Sequence, residues 1–374
     1  MELKPSKVQL ADDELTWARN KLWDVFNKLG VRHNGLFTCA PTAQPVSLHK
    51  SEIKVIKRQH NDHGGIKASL KADGVRYLLL LTTRPSKESM RGEPIALMFD
   101  RGLIAYEVSI WGSHPLFAHD TLLDGELVFN TNSKNDSSMA WLAFDIFMAH
   151  GVRFDNVDYD VRLKKLQSLI DLHEFCETEK PTSDLKKTIV LAGKILVVDH
   201  DTPIILKTKP CVDMMSLHKL WDERMHAGFE FDGLLFTPVN KPIRFGKNKK
   251  MFKWKTTHTI DVQLEKPRTL GSWDVLALQS RKRVLISGRD PILSVDGKKL
   301  FVKIIENIHI KDVNETAIVE CSMEIDDCHV SLFPIMIRDD KNYPNSVSTI
   351  NSTVENVMES ISIEFLLQAL TTTV

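Results

Sequence analysis

Three groups of residues have types and spacings suited to chemistry. Lys71-Ala72-Asp73-Gly74-Val75-Arg76 lies between two aliphatic runs, IKASL and RYLLLLTT. As structure alone, Asp-Gly between such runs is a hairpin turn beside a solvated lysine. As chemistry, Lys71 is a nucleophile held beside the turn, with Arg76 reaching the same cleft. The second group lies between Asp232 and Asp261, a stretch with no acidic residue that holds Lys241, Arg244, Lys247, Lys249, Lys250, Lys253 and Lys255. Lys253-Trp254-Lys255 alternates within a strand-like run, so both lysines point to one face. Two ammonium groups on one face repel unless an anion lies between them, and a phosphate is the natural candidate. A solvated basic loop is the plainer alternative. The third group is acidic: Asp124-Gly125-Glu126, Phe144-Asp145 and Asp232-Gly233, each inside an apolar run. One such carboxylate is usually an edge or turn residue. Three of them, with a lysine loop and a basic strand, point to a site handling a nucleotide with a divalent metal, Mg²⁺ or Mn²⁺ by their hard oxygen ligands.

Other chemistries find no support. The chain contains no GxxxxGK[ST] and no GxGxxG between a strand and a helix. His60 and His63, or His114 and His119, are close in sequence but match no metal spacing. Lys+Arg and Asp+Glu are both 49, and this zero net charge argues against coating long nucleic acid by bulk charge while leaving room for a local basic groove. The start has no apolar signal region, and no run approaches the ~18 apolar residues of a membrane span. Five cysteines without CxxC spacing fit reduced thiols, so the chain reads as soluble and intracellular.

The elements that must position these groups follow from the patterning. The 374 residues suffice for about two domains. A helix is expected over residues 12–29, with apolar positions at Leu15, Trp17, Leu22, Val25, Phe26 and Leu29, followed by a loop rich in Pro and Gly. Short strands follow: IKASL, RYLLLLTT, IALMFD, LIAYEV, GELVF and WLAFDIF. Helices are expected over 157–175 and 212–226, then strands at GLLFTPV and MFKWK. Strands and helices without regular βαβ alternation indicate an α+β fold. In the block 260–346, the strands TIDVQLE, KRVLISG, LFVKIIE, TAIVECSM and VSLFPIMI suit a small barrel such as an OB-fold. Residues 352–369 read as a helix opened by the capping box Ser352-x-x-Glu355. The expected domains are therefore 1–259, 260–346 and a C-terminal helix in 347–374 that packs back on the first domain.

The order of these elements resembles the covalent nucleotidyltransferases, the superfamily of mRNA capping guanylyltransferases and polynucleotide ligases. KADGVR, LDGELV, WLAFDIF, FDGLLFTPV and MFKWK are similar to five of its motifs in order, and RDDK (Arg338 to Lys341) with Pro344-Asn345 to a sixth. QPVSL (Gln44 to Leu48), KADG-x-RY, DGLLFTP and KWK resemble the capping forms more than the ligase forms. Leu332 and Met336 depart from the pattern, standing where capping enzymes tend to have a tryptophan and a further arginine. The alternatives are an ATP-dependent ligase with the same covalent step, or a non-catalytic RNA-end-binding module in which Lys71 is only a phosphate contact.

The resemblance implies an antiparallel nucleotidyltransferase domain with flanking helices plus an OB-fold barrel, and a two-step reaction. A lysine attacks the α-phosphate of GTP and expels pyrophosphate; RNA with a 5′-diphosphate end then takes the GMP. Lys71 is implied as the nucleophile, Arg76 and Glu126 as neighbours of the ribose, and Phe144 as the base-stacking ring. Asp232 is the implied metal ligand, Lys253 and Lys255 the α-phosphate contacts, and Arg101 a further phosphate contact. Lys207 or Lys209 reads the guanine, and Arg338, Asp340 and Lys341 reach the pyrophosphate through closure of the barrel domain. Discharging a free lysine at pH 7 costs about 4.6 kcal/mol. A like charge ~5 Å away at an effective dielectric of ~20 supplies roughly 3 kcal/mol of this, a task for Lys253 and Lys255 with a metal. The resemblance also implies a separate RNA triphosphatase and cap methyltransferase, RNA polymerase as a candidate contact, and no membrane. The expected location is the nucleus, or a viral factory or virion for a large DNA virus.

Overall fold

The computed structural model describes residues 12–31, 40–62, 65–86, 92–108, 119–129, 139–174, 187–191, 194–198, 205–266, 272–288, 293–295, 297–307, 310, 313, 315–339 and 341–371. The chain forms two compact units. One comprises Met1–Val46 and Ile56–Lys253, the other Ser47–Val55 and Trp254–Thr372. The expected boundary after residue 259 thus lies after Lys253, and a short early segment joins the second unit.

In the first unit one abrupt turn passes the chain from an inner strand of one sheet to an inner strand of another. Strand Ile66–Ala72 belongs to a five-stranded sheet, while Val75–Arg84, only two residues later, belongs to a seven-stranded one. Asp73-Gly74 is therefore a crossing between sheets rather than the tip of a hairpin. The crossing is held by Asp73 N–H donating to Glu230 O at 2.8 Å. Gly74 is required there, because a Cβ would run into the Leu127 carbonyl oxygen and the Val128 side chain. The five-stranded sheet runs Ala43–Ser47, Gly246–Lys255, Phe231–Pro238, Ile66–Ala72, Cys211–Asp213. The other runs Ile205–Thr208, Met139–Ala149, Thr121–Phe129, Val75–Arg84, Glu93–Phe99, Ala105–Val108, with Val152–Arg153 beside Met139–Ala149.

Alternation divides the seven-stranded sheet into two apolar faces. On one, Tyr77, Leu79, Leu81, Leu123 and Trp141 pack with Leu166, Leu169 and Ile170 of helix Tyr159–Glu174. On the other, Leu78, Leu80, Leu97, Phe99 and Leu122 pack with Leu15, Leu22, Val25 and Phe26 of helix Asp12–Lys28. Burial of each such side chain contributes about 1.5–3 kcal/mol. Arg76 and Asp124 lie two residues from Leu78 and Leu122, so the polar cleft continues the face that the N-terminal helix covers.

In the second unit, the seven-stranded sheet runs Lys282–Leu285, Asp274–Gln279, Thr259–Glu265, Thr316–Ile325, His329–Ile337, Lys298–Ile304, Leu293–Val295. It curls back on itself, since Ser287, just beyond the first strand of that order, bridges Val302 on the far side. The result is the expected barrel, with two strands the sequence reading missed, DVLALQ and LSV.

Three expectations are corrected. Residues 212–226 do not form one helix. Cys211–Asp213 pairs with Ile66–Ala72, and only Leu217–Asp222 is α-helical between two 3₁₀ turns. Met214, Leu217 and Leu220 are buried while Met215 is exposed. Lys50–Asp62 is a helix where a loop was expected, with Ile53 and Ile56 buried and Glu52 accepting from the His49 N–H at 3.0 Å. The tail is two helices, Val347–Glu359 and Ile363–Thr371. Ser346, not Ser352, caps the first, accepting from Thr349 N–H at 3.1 Å. Its buried Val347, Ile350 and Val354 join the core of the barrel unit. No helix among the described residues is long and apolar enough to cross a membrane.

Candidate active site

Lys71 stands one residue before the end of its strand, opposite Gly233. The register slips between Phe231 and Gly233, leaving Asp232 as the extra residue of a bulge. A bulge re-aims its side chain, and here the Asp232 Oδ1 lies 2.6 Å from Lys71 Nζ. The two side chains are 20% and 19% exposed, open enough to meet a ligand.

Arg76 is fixed by a fork. Its Nε and Nη2 donate to the two Asp124 oxygens at 2.9 and 2.5 Å, and Nη1 donates to Ala43 O at 2.7 Å. Burial opposes the Arg76 charge, and the adjoining Asp124 carboxylate more than offsets that, leaving the pKa raised. Gly125 separates Asp124 from Glu126 because a Cβ there would sit 2.5 Å from the Trp141 ring.

Lys209 follows strand Ile205–Thr208 and is anchored by its N–H donating to Ala143 O at 2.7 Å. Its side chain is buried, with Nζ 4.7 Å from the centre of the Phe144 ring. The Arg76 guanidinium lies 5.3 Å from the same ring, so Phe144 meets two cations. Burial lowers the Lys209 pKa to about 8; Glu126 works against this, and Lys71 and Arg76 add to it. Glu126 is pushed up, mainly by burial, against the pull of Lys209, Lys71 and Arg76. Lys71 is thus one of the like charges acting on Lys209.

The acidic residues divide by partner. Asp124 is committed to Arg76, and Asp145 to Arg162, whose Nε lies 2.6 Å from Oδ1. Burial raises the Asp145 pKa against the pull of Arg162. Asp145 therefore secures helix Tyr159–Glu174 to the sheet. Asp232 and Glu126 remain as oxygen donors near Lys71. Mg²⁺ typically takes one or two carboxylates and completes its shell with substrate phosphates and water, so this donor set fits such an ion. Among the described residues, the two groups of three clustered ligand atoms, Asp326–Cys328–His329 and His49–Glu355–Glu359, do not include either carboxylate.

The other expected residues are placed as follows. Lys207 is half-buried and registers with Leu142, whose other partner is Glu126, so Lys207 lies on the cleft face. Arg101 is exposed in the turn after strand Glu93–Phe99. Lys253 and Lys255 are half-buried on strand Gly246–Lys255, opposite the buried Phe252 and Trp254, as alternation required. Lys253 belongs to the first unit and Lys255 to the second. Arg338 and Lys341 lie in the barrel unit, where both bind Asp261. Arg338 Nη1 also lies 3.0 Å from Glu320 Oε2. Asp340 lies outside the described residues. Sequence reasoning missed the Asp124 clamp and the buried Asp261 hub. The first had a signal in the carboxylate two residues before Glu126. The second was visible as the acid that ends the basic run.

Known proteins are similar to this chain in sequence. Residues 8–257 match the family described as mRNA capping enzyme, catalytic domain. The mRNA-capping enzyme subunit alpha of Schizosaccharomyces pombe is 28% identical over 349 residues, covering 88% of this chain and 79% of that protein. The mRNA-capping enzyme of Mus musculus is 24% identical over 333 residues, covering 88% of this chain and 49% of that protein. A solved mycobacterial DNA ligase D complexed with ATP and MES superposes at a TM-score of 0.41 with 15% identity, over 82% of this chain and 97% of that one. With two thirds of its length matched in sequence, the chain belongs to the mRNA capping enzyme family, and Lys71 and its neighbours lie in the matched catalytic domain.

Proposed function

We propose that the chain is an mRNA guanylyltransferase working through a covalent Lys71–GMP intermediate. The observation that carries the reading is the Lys71–Asp232 contact at 2.6 Å within a cleft walled by Arg76, Glu126, Phe144 and Lys209. In the first step Lys71 Nζ attacks the α-phosphate of GTP. The P–N bond forms, the bond to the β-phosphate bridging oxygen breaks, and pyrophosphate leaves. Asp232 Oδ1, already bonded to Nζ, is positioned to take the proton that Nζ loses. In the second step a terminal phosphate oxygen of 5′-diphosphate RNA attacks the same phosphorus. The P–N bond breaks, the proton returns to Nζ, and a GpppN end results.

Phe144 offers a face to the base. Lys209, rather than Lys207, is the candidate to read guanine, since its buried Nζ already sits over that ring. Arg76 and Glu126 would border the ribose. Lys253 and Lys255 would hold the α-phosphate, and Arg338, Asp340 and Lys341 would serve the leaving pyrophosphate. Asp232 and Glu126 would hold Mg²⁺ or Mn²⁺, which when bound offsets phosphate charge. An RNA triphosphatase supplies the diphosphate end, and a methyltransferase consumes the cap.

The test is incubation with α-labelled GTP and Mg²⁺ or Mn²⁺, followed by a denaturing gel. A label that survives alkali, is lost in acid and vanishes in Lys71→Arg is the expected result. Labelling from ATP in preference to GTP would overturn the capping reading.

A further inference from the structure

The basic stretch ahead of Lys253 is only partly used by the chemistry above. Lys247 and Lys249 are exposed on strand Gly246–Lys255, and Arg244 is exposed just before it. None of the three takes part in an ion pair or side-chain hydrogen bond among the described residues. On the strand, Lys247, Lys249, Met251 and Lys253 share one face, while Lys250, Phe252 and Trp254 share the other. Met251 and Arg244 line the same cleft as Arg76 and Phe144. The lysine row therefore runs along one face of a strand into the proposed nucleotide site.

We propose that Lys247 and Lys249, with Arg244 at the cleft mouth, bind the backbone phosphates of the acceptor RNA behind its 5′ end. This rests on the guanylyltransferase reading and adds where the second substrate lies. Distance argues against GTP as the occupant. At ~3.3 Å per residue, Lys249 is ~13 Å and Lys247 ~20 Å from Lys253 along the strand, beyond the reach of a triphosphate whose α-phosphate sits at Lys253. Same-face neighbours stand ~6.6 Å apart, a step suited to successive phosphates of an extended single strand. The Asp232 to Asp261 interval holds no acidic side chain to compete for these cations.

The test uses the full chain and a 5′-diphosphate RNA of roughly ten nucleotides, with affinity measured across salt concentrations. Each phosphate neutralised on a single strand contributes about −0.7 to the log–log slope, so the three cations predict about −2 from this surface. Lys247→Ala/Lys249→Ala should flatten the slope by about 1.4, weaken binding at low salt roughly tenfold, and slow GMP transfer to this RNA while leaving adduct formation from GTP unchanged. A 5′-diphosphate dinucleotide should be capped equally well by both proteins. Lys250→Ala, on the opposite face, should behave as wild type. An unchanged slope overturns the proposal, as does an equal loss of adduct formation, which would assign the lysines to GTP. Equal sensitivity at Lys250 would also overturn it, pointing to diffuse charge. Should no Lys71 adduct form at all, the capping reading fails, yet the binding slopes still decide whether this row holds RNA.

Discussion

The Lys71 cleft and the Arg338–Lys341 cluster both set cations against carboxylates, but they do so with opposite logic. In the cleft, Asp232 holds the very amine proposed to react, and burial leaves neither Glu126 nor Lys209 at its ordinary pKa. In the barrel unit, a single buried carboxylate, Asp261, accepts from Arg338, Lys341 and Asn345 at once. Asn345 also closes a backbone pair, its N–H donating to Asp261 O at 2.7 Å while its Oδ1 accepts from Asp261 N–H at 2.9 Å. Perturbed groups packed together mark a site for chemistry, whereas a fully partnered hub marks a structural joint. Arg338 and Lys341 can act at pyrophosphate only by trading contacts they already have.

The largest expected effect breaks the comparison at its centre. Asp232→Asn should lower GMP-adduct formation by at least about 100-fold with little change in unfolding midpoint, since the site is open to water. Asp261→Asn should do the reverse first. It leaves two cations around a buried neutral amide and should cost about 2–4 kcal/mol of stability, read by urea unfolding. An adduct defect from Asp261→Asn at unchanged stability would erase the distinction drawn here.

Next comes the separation of steps. Lys341→Ala should depress adduct formation and leave transfer from preformed adduct near the wild-type rate, because pyrophosphate departs only in the first step. Lys253→Ala should impair both. Single-turnover measurement of each step checks this, and normal adduct formation by the Lys341 variant would leave the cluster a purely structural joint.

Lys209 gives the cleft a pH signature. A lysine whose pKa falls to about 8 on folding binds fewer protons folded than unfolded between about 8 and its free value of about 10.4. Its charge is thus a cost to folding, fully present below pH 8 and relieved as pH rises toward 10. Lys209→Met should therefore gain most on the wild type at neutral pH, by roughly 1–3 kcal/mol, with the gap closing above pH 10. A gap that stays constant from pH 7 to pH 10 would show that Lys209 is not discharged by its surroundings.

The two regions were also unequally legible in the sequence. Candidate residues of the cleft stand out by type: a lysine beside an Asp-Gly turn and carboxylates inside apolar runs. Strands with strong β composition were placed well, as were the helices Asp12–Lys28 and Tyr159–Glu174. What periodicity could not supply was partnership. Nothing local says that Asp124 clamps Arg76; register places Glu126 directly opposite Arg76, and the clamp is made to the diagonal neighbour instead. Nor does spacing show that Asp73-Gly74 changes sheets, because the same dipeptide makes hairpins elsewhere. Residues 212–226 misled because a three-residue strand claims Cys211–Asp213 before any helix can form.

The smallest expected effect tests the corrected helix start in the barrel unit. A sequence capping box at Ser352 and Glu355 predicts that Ser352→Ala removes a cap. In the structure Ser352 lies inside helix Val347–Glu359, and the capping position belongs to Ser346, which has extended backbone (φ −73°, ψ 153°) and accepts from Thr349 N–H. An N-cap serine contributes typically ~1 kcal/mol, while alanine in a helix interior is favoured over serine by a few tenths. Ser346→Ala should therefore lower stability by about 1 kcal/mol, and Ser352→Ala should leave it unchanged or slightly raised. Urea unfolding of the two variants decides between the assignments, and a greater loss from Ser352→Ala would restore the sequence reading. Because Val347, Ile350 and Val354 bury against the barrel core, the Ser346 loss should appear in the barrel's unfolding and leave adduct formation at Lys71 untouched.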